Sequence, residues 1–145
     1  MADERPVTYR GAVYPSQCDH MGHMNVMWYV QKFDEATWQL LAAVGLSGKR
    51  MRDESSGMAA VEQHIEYRRE LRAGDTVTIR SHVLEVKEKA ITFVHEMTDD
   101  QSGAVAAVTT LVGVHLDAVA RRARALPPDV REKALALCDR TAAKG

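Results

Sequence analysis

Cysteine is scarce in this chain, with only Cys18 and Cys138 among 145 residues. A pair this sparse excludes the disulfide-dense extracellular scaffolds and reads as free thiols in a reducing cytosol. Long apolar runs are missing, with no stretch approaching the roughly 18 residues of a membrane-spanning helix. The opening Met1-Ala2-Asp3-Glu4-Arg5-Pro6 is polar and has no apolar signal-peptide core, which points to the cytoplasm. Charge of one sign is missing as well: the net charge is −1, which argues against bulk binding to nucleic acid or to an acidic membrane. There are no internal repeats and no low-complexity segments. What remains is 46% hydrophobic and 27% charged, the make-up of one globular domain over residues 1–145, with residues 1–6 expected to be disordered.

One stretch is chemically dense. Asp19-His20-Met21-Gly22-His23-Met24-Asn25 places an acid, two imidazoles, a glycine and an amide in seven positions. Beyond it, Val26, Val30, Phe33, Thr37, Leu40 and Val44 recur at alternating gaps of four and three, one face of an α-helix. A polar loop therefore feeds the N-terminus of a long helix. Such an end carries unpartnered N–H groups and a partial positive charge. A carboxylate beside it suits a site where negative charge develops. A capped helix with a polar lead-in explains the same residue types equally well.

The rest of the chain is strand-like. Val7, Tyr9, Gly11 and Val13 alternate as a first strand, ended by Pro15 and Ser16. Asn25 suits the cap of a helix running to about Val44, and Gly45 or Gly48 suits its end. Lys49 to Gly57 is charged and reads as a mobile loop. Four strands are then expected as an antiparallel meander, over residues 58–69, 76–87, 90–98 and 104–116. Val61, Ile65 and Tyr67 fall on one face of the first. Short turns at Glu88-Lys89 and at Asp99 to Gly103 make neighbours antiparallel. The last strand is apolar on both faces, which places it centrally in the sheet. Asp117 to Leu126 reads as an irregular basic tail. Pro127-Pro128-Asp129 then opens a C-terminal helix over 127–140. Met27, Trp28, Tyr29, Trp38, Leu41 and Ala42 make the long helix apolar nearly all round, so it should be wrapped by the sheet.

Asp19-x-x-Gly22-His23-x-Asn25-x-x-x-Tyr29, then Phe33-x-Glu35-Ala36, resembles the signature of the 4-hydroxybenzoyl-CoA thioesterase-like acyl-CoA hydrolases. Ile65-Glu66-Tyr67-Arg68-Arg69 with Gly74-Asp75, Val114-His115-Leu116-Asp117 and Leu126-Pro127 are similar to later segments of that family. The resemblance covers about residues 7–135. It implies an α+β hot-dog fold, a long central helix wrapped by a curved five-stranded antiparallel sheet, with a C-terminal helix added. It implies hydrolysis of an acyl-CoA thioester without metal or redox cofactor, coenzyme A being part of the substrate. It also implies a homo-oligomer, a dimer or a homotetramer, holding the ligand in grooves between subunits.

Carried onto this chain, the resemblance makes Asp19 the nucleophile or general base and the Val26 main-chain N–H the oxyanion donor. His23 braces the loop, orients Asp19 or contacts the thioester. Gly22 lets the loop turn or lets the ligand approach the backbone, Asn25 caps the helix and braces the loop, and both are placed with Tyr29 among the substrate-binding residues. His64, with Glu62 and Gln63, lies on a strand expected to pass near the helix end. Arg68 and Arg69 are candidate phosphate contacts, alongside Lys87, Lys89, Arg121, Arg122 and Arg124. Glu35 is a surface charge or a buried anchor. Two rival constellations use Cys18, as a metal triplet with His20 and His23 or as an activated thiol. Trp28, Tyr29 and Trp38 pack the core, or else receive a cationic acyl group such as a betainyl one. A non-catalytic acyl-CoA or acyl-carrier binding protein and a hydroxyacyl-thioester dehydratase are the competing functions.

Overall fold

The structure, a computed structural model, describes residues 3–138. Strand β1 (Val7–Ala12) leads through a single 3-10 turn (Pro15–Gln17) to helix α1 (Val26–Ala43) and short helix α2 (Gly48–Asp53). Strands β2 (Ser56–Tyr67), β3 (Thr76–Val86), β4 (Ala90–Asp99) and β5 (Val105–Asp117) follow, then β6 (Arg122–Ala123) and helix α3 (Pro128–Ala136). The main strands form one antiparallel sheet in the order β1-β3-β4-β5-β2. The sheet curls around α1, which is the expected hot-dog architecture. Of the expected C-terminal helix, Pro128–Ala136 is helical, and positions 139 and 140 lie outside the described residues.

The order corrects three expectations. β2 pairs with β5 rather than with its chain neighbour β3, because Arg68 to Asp75 carries the chain to the opposite edge beside β1. β5 is interior to the sheet as expected, between β4 and β2. It is not apolar and buried on both faces: Thr109, Leu111, Gly113 and His115 face the core, while Val108, Val112 and Val114 are half-exposed on the outer face. The face expected for Val61, Ile65 and Tyr67 is broken by a register shift between Ala60 and Glu62, which leaves Val61 62% exposed. β2 is thus a 12-residue edge strand exposed along most of its length.

Helix α1 starts as expected. Asn25 caps it, Oδ1 accepting from Met27 N at 3.0 Å. Its buried face is Tyr29, Lys32, Phe33, Ala36, Leu40 and Leu41. Fully burying Phe33 or Leu40 contributes about 1.5–3 kcal/mol each. Val26 and Val30 from the expected stripe lie outside, as do Met27 and Trp38. Within one chain the helix is therefore covered on one side only. The inner face even includes a lysine: Lys32 Nζ lies 3.1 Å from Tyr9 Oη, 3.4 Å from Ala12 O and 5.3 Å from the Tyr9 ring centre. Those groups satisfy the ammonium and tie α1 to β1.

The charged stretch read as a loop holds α2. Ser47 Oγ accepts from Arg50 N at 3.1 Å, Lys49–Asp53 and Arg50–Glu54 pair four residues apart, and Met51 is the buried anchor. One apolar anchor in six residues gives too little periodicity to read. β6, in the tail read as irregular, pairs with Leu116 and Asp117 of β5 after Asp117 Oδ1 gathers the Val119 and Ala120 N–H groups. Asp3 to Pro6, expected to be disordered, are held against the sheet. Arg5 meets Asp3 and Glu96, Arg80 Nη1 donates to Arg5 O at 2.7 Å, and Ser81 N donates to Pro6 O at 3.1 Å.

Between helix and sheet lies a buried polar chain. Thr8 Oγ1 and Ser81 Oγ are 2.7 Å apart, Ser81 Oγ meets His95 Nδ1 at 2.5 Å, and His95 Nε2 meets Thr37 Oγ1 at 2.9 Å. Burial, with a smaller contribution from His82, pushes the His95 imidazole down to about 3. The folded state thus keeps His95 neutral while the unfolded chain takes up a proton below its ordinary 6.5. Stability from this residue is complete above about pH 6.5 and is lost as pH falls toward 3, by an amount on the order of a few kcal/mol. The urea midpoint of the wild type should fall steeply between pH 7 and 4. The same plot for His95→Gln should be flatter, and equal slopes would show that another group controls acid stability.

Candidate functional site

Gln17 to Asn25 folds as a small hairpin at the head of α1. Asn25 N donates to Gln17 O at 2.9 Å, Cys18 and Met24 bridge antiparallel, and Asp19 N donates to His23 O at 2.9 Å. Gly22 N donates to Asp19 O at 3.0 Å and closes the turn. Gly22 has φ +81°, with no heavy atom within 4 Å of where a Cβ would stand. A left-handed residue completing a tight hairpin loop is a place for glycine. Its role is set by backbone conformation rather than by crowding.

Asp19 Oδ1 accepts from Met21 N at 2.8 Å and from His23 N at 3.4 Å. The Met21 N–H does most to hold the carboxyl below the usual aspartate range, against a smaller opposing effect of desolvation, and the His23 N–H adds to it. Asp19 is half-exposed, and Oδ2 receives no hydrogen bond from the described residues. The acid is therefore ionised, oriented by one oxygen and open at the other.

Val26 is the first residue of α1 and 57% exposed. Asn25 takes the next two N–H groups, Met27 N on its side chain and Trp28 N on its carbonyl at 2.9 Å. The Val26 N–H has no acceptor among the described residues. It is an orphan donor at the positive end of an 18-residue helix.

Segment 67–71 brackets this hairpin. Met24 N donates to Leu71 O at 2.7 Å, and His23 Nε2 lies 3.1 Å from Glu70 Oε2. Tyr29 Oη donates to Arg69 O at 3.1 Å, and its ring meets Tyr67 edge-on at 5.1 Å. Burial pushes the Tyr29 hydroxyl up to about 12, so it stays protonated and donates. The fold thus gathers Asp19, Gly22, His23, Asn25, Val26, Tyr29 and the Arg69 backbone. His64 is further along β2, exposed, with its carbonyl bound to Thr109 Oγ1. Arg68 and Arg69 are exposed, Arg68 lying 3.4 Å from Glu66. Cys18, His20 and His23 do not converge; the described residues hold no group of three metal-ligating side chains. Cys18 Sγ instead points to Tyr14 O at 3.7 Å.

Sequence reasoning missed a chamber of about 360 Å³ between α1, α2 and strands β2, β4 and β5. Leu41, Met51, Met58, Phe93 and Leu111 line it, with Asp34, Trp38, Arg52 and Ser56. Gly113 makes room there, since a Cβ would stand 3.0 Å from Met58 Cε. Glu35, noted in the sequence, faces the other way, toward β1. The signal that would have found the chamber is the outer four-residue stripe Val26, Val30, Asp34 and Trp38. Glu70, the partner of His23, carried no pattern of its own.

A long helix wrapped by a curled antiparallel sheet defines the hot-dog class. Residues 13–134 match the model of the thioesterase-like superfamily, and the chain belongs to that family. The betainyl-CoA thioesterase of Pseudomonas aeruginosa is 24% identical over 132 residues, 91% of this chain and 83% of that protein. The L-carnitine dehydrogenase/betainyl-CoA thioesterase of Agrobacterium fabrum is 30% identical over 110 residues, 76% of this chain. The alignment spans only 22% of that relative's length. Among solved structures, a Staphylococcus aureus protein in complex with CoA superposes with a TM-score of 0.86 at 20% identity, covering 96% of this chain and 90% of that one. A gentisyl-coenzyme A thioesterase superposes with a TM-score of 0.77 at 24% identity, covering 88% of this chain and 98% of that one.

Proposed function

We propose that the protein is an acyl-CoA thioesterase, cleaving an acyl-CoA to a free acid and coenzyme A. The observation that carries this is the pairing of an ionised, half-open Asp19 with the orphan N–H of Val26 in a chain of the thioesterase-like superfamily. The carbonyl oxygen of the thioester is set against the Val26 N–H. Asp19 Oδ2 either attacks the carbonyl carbon or takes a proton from an attacking water. Negative charge moves onto the carbonyl oxygen, where the helix N-terminus stabilises it. Collapse expels the thiolate of coenzyme A. In the nucleophilic route water then cleaves the Asp19 anhydride. Each route uses only protein groups and water.

In this reading His23, held by Glu70, keeps the hairpin in place, and Tyr29 anchors the Arg69 segment. Arg68 and Arg69, exposed beside the site, are the proposed contacts for the coenzyme A phosphates. The working form is proposed to be a cytoplasmic homo-oligomer, a dimer or a tetramer of two dimers. Its support is the long exposed edge of β2 next to an uncovered apolar helix stripe of Val26, Met27 and Val30. Pairing β2 with its two-fold copy satisfies the open edge, covers that stripe and brings His64 to the seam. No described helix is long and apolar enough to cross a membrane.

The direct test is thiol release from a panel of aliphatic, aromatic and betainyl acyl-CoAs. Steady turnover with equal amounts of free acid and thiol is expected for at least one of them. Binding without thiol release would instead mark an acyl-CoA binding protein, and an enoyl thioester product would mark a dehydratase.

A further inference from the structure

We propose that the chamber is the subsite for the acyl end, and that it selects a small acyl group carrying a fixed positive charge. This rests on the thioesterase reading above. Asp34 and Trp38 stand one turn apart on the outer stripe of α1, and both line the chamber mouth. Neither is used by the fold: both are exposed, and among the described residues Asp34 makes no ion pair or hydrogen bond. A carboxylate and an indole face on one rim are the complement of a quaternary ammonium group, which offers charge without N–H donors and presents apolar methyl groups. The walls behind them, Met51, Met58 and Phe93, suit those methyl groups.

A second observation points to a ligand. Ser56 is 91% buried, lines the chamber, and its Oγ has no hydrogen-bond partner. A buried hydroxyl left in this way costs free energy unless something polar or positively polarised meets it. The methyl groups of a quaternary ammonium carry such polarisation. One cation already lies at this rim. Arg52 Nη1 and the Trp38 ring approach the same side of Gly48, at 3.2 and 3.6 Å from where its Cβ would be. Arg52 is exposed and lines the same chamber, so a guanidinium already sits beside the Trp38 ring.

The distance along α1 adds a geometric consequence. Asp34 and Trp38 follow Val26 by 8 and 12 residues, which at ~1.5 Å per residue is ~12 and ~18 Å. A small acyl group spans only a few ångström. Its carbonyl therefore cannot reach the Val26 N–H of the chain whose chamber it fills. In the proposed two-fold dimer it would instead meet the Asp19 hairpin of the second copy.

The test compares betainyl-CoA with 3,3-dimethylbutyryl-CoA, in which carbon replaces the charged nitrogen at the same size. Wild-type kcat/KM should favour the charged substrate by about 10- to 100-fold. Asp34→Asn and Trp38→Leu, both at exposed positions where substitution is well tolerated, should each cut that preference about tenfold or more. A wild-type ratio near one, or a ratio unmoved in both variants, overturns the cation subsite. Cleavage of other acyl-CoAs with refusal of both these substrates overturns the subsite and leaves the thioesterase reading standing. Failure to cleave any acyl-CoA removes both. The trans arrangement is tested by co-expressing Asp19→Ala and Asp34→Lys chains with different tags. The mixed dimer keeps one wild-type site if hairpin and chamber come from different copies, so activity on betainyl-CoA returns. No recovery in purified mixed dimers overturns that arrangement.

Discussion

Replacing Asp19 with asparagine is expected to lower kcat on the best thioester about 10²- to 10⁴-fold, the range seen when a positioned acid–base group is lost. Asparagine is the informative substitution because the carboxylate has two duties. Its Oδ1 holds the turn through Met21 N and His23 N, and an amide oxygen can still do that. Its charge and its open Oδ2 serve the chemistry, and asparagine removes them. Alanine removes both duties, so Asp19→Ala should lose as much activity and some local order of the hairpin besides. Binding of the coenzyme A product should survive in Asp19→Asn. The low carboxyl pKa also fixes the sign of the pH dependence. Asp19 is already ionised at neutral pH, so its acid limb in the kcat/KM profile lies below the ordinary aspartate value. Full activity in a folded Asp19→Asn protein would falsify the mechanism.

The second large effect is expected at Val26, where a side-chain change alone would tell little because the proposed donor belongs to the backbone. Val26→Pro removes that N–H and little else. Val26 is the first helical position, where proline is favoured and the amide makes no bond within the helix. The preceding residue also permits it: Asn25 has φ −67° and ψ 146°, the extended conformation a residue before proline adopts. The variant should therefore fold with an unchanged melting temperature to within a few degrees and still bind coenzyme A. Its kcat should fall about 10²- to 10³-fold, the cost of losing one oxyanion donor. Val26→Ala keeps the N–H and should retain most activity. Equal kcat values for the proline and alanine variants would mean that the oxyanion rests elsewhere.

Much of this architecture was legible as pattern. The strands of β3, β4 and β5 and their two turns follow from alternation, Glu88-Lys89, and Asp99 to Gly103. Asn25 and Gly45 bound α1, and the spacing from Asp19 to Tyr29 marked the polar loop and its family, while the hairpin form of that loop came only with the structure. Such features are local: a cap, a tight turn and a period act over a few residues, and the signals for them sit together in the chain. The outer side of α1, which the sheet of this chain leaves uncovered, was not legible for the same reason. Periodicity shows that Val26 and Val30 share a side, but it does not say whether this chain or a second copy covers that side.

Non-local facts stayed hidden until the fold was known. The pairing of β2 with β5, the neutral state of His95 and the union of Asp34, Trp38, Ser56, Met58 and Phe93 around one chamber each join segments tens of residues apart. α2 shows the same divide on a small scale, since one buried methionine in a charged run becomes meaningful only when a wall stands opposite it. Residue types along the chain decide which groups are available and which turns and caps form. Which distant groups meet, how much water they lose and what space is left between them depend on the packed arrangement, because desolvation and cavity shape belong to surfaces that exist only after the chain has closed on itself.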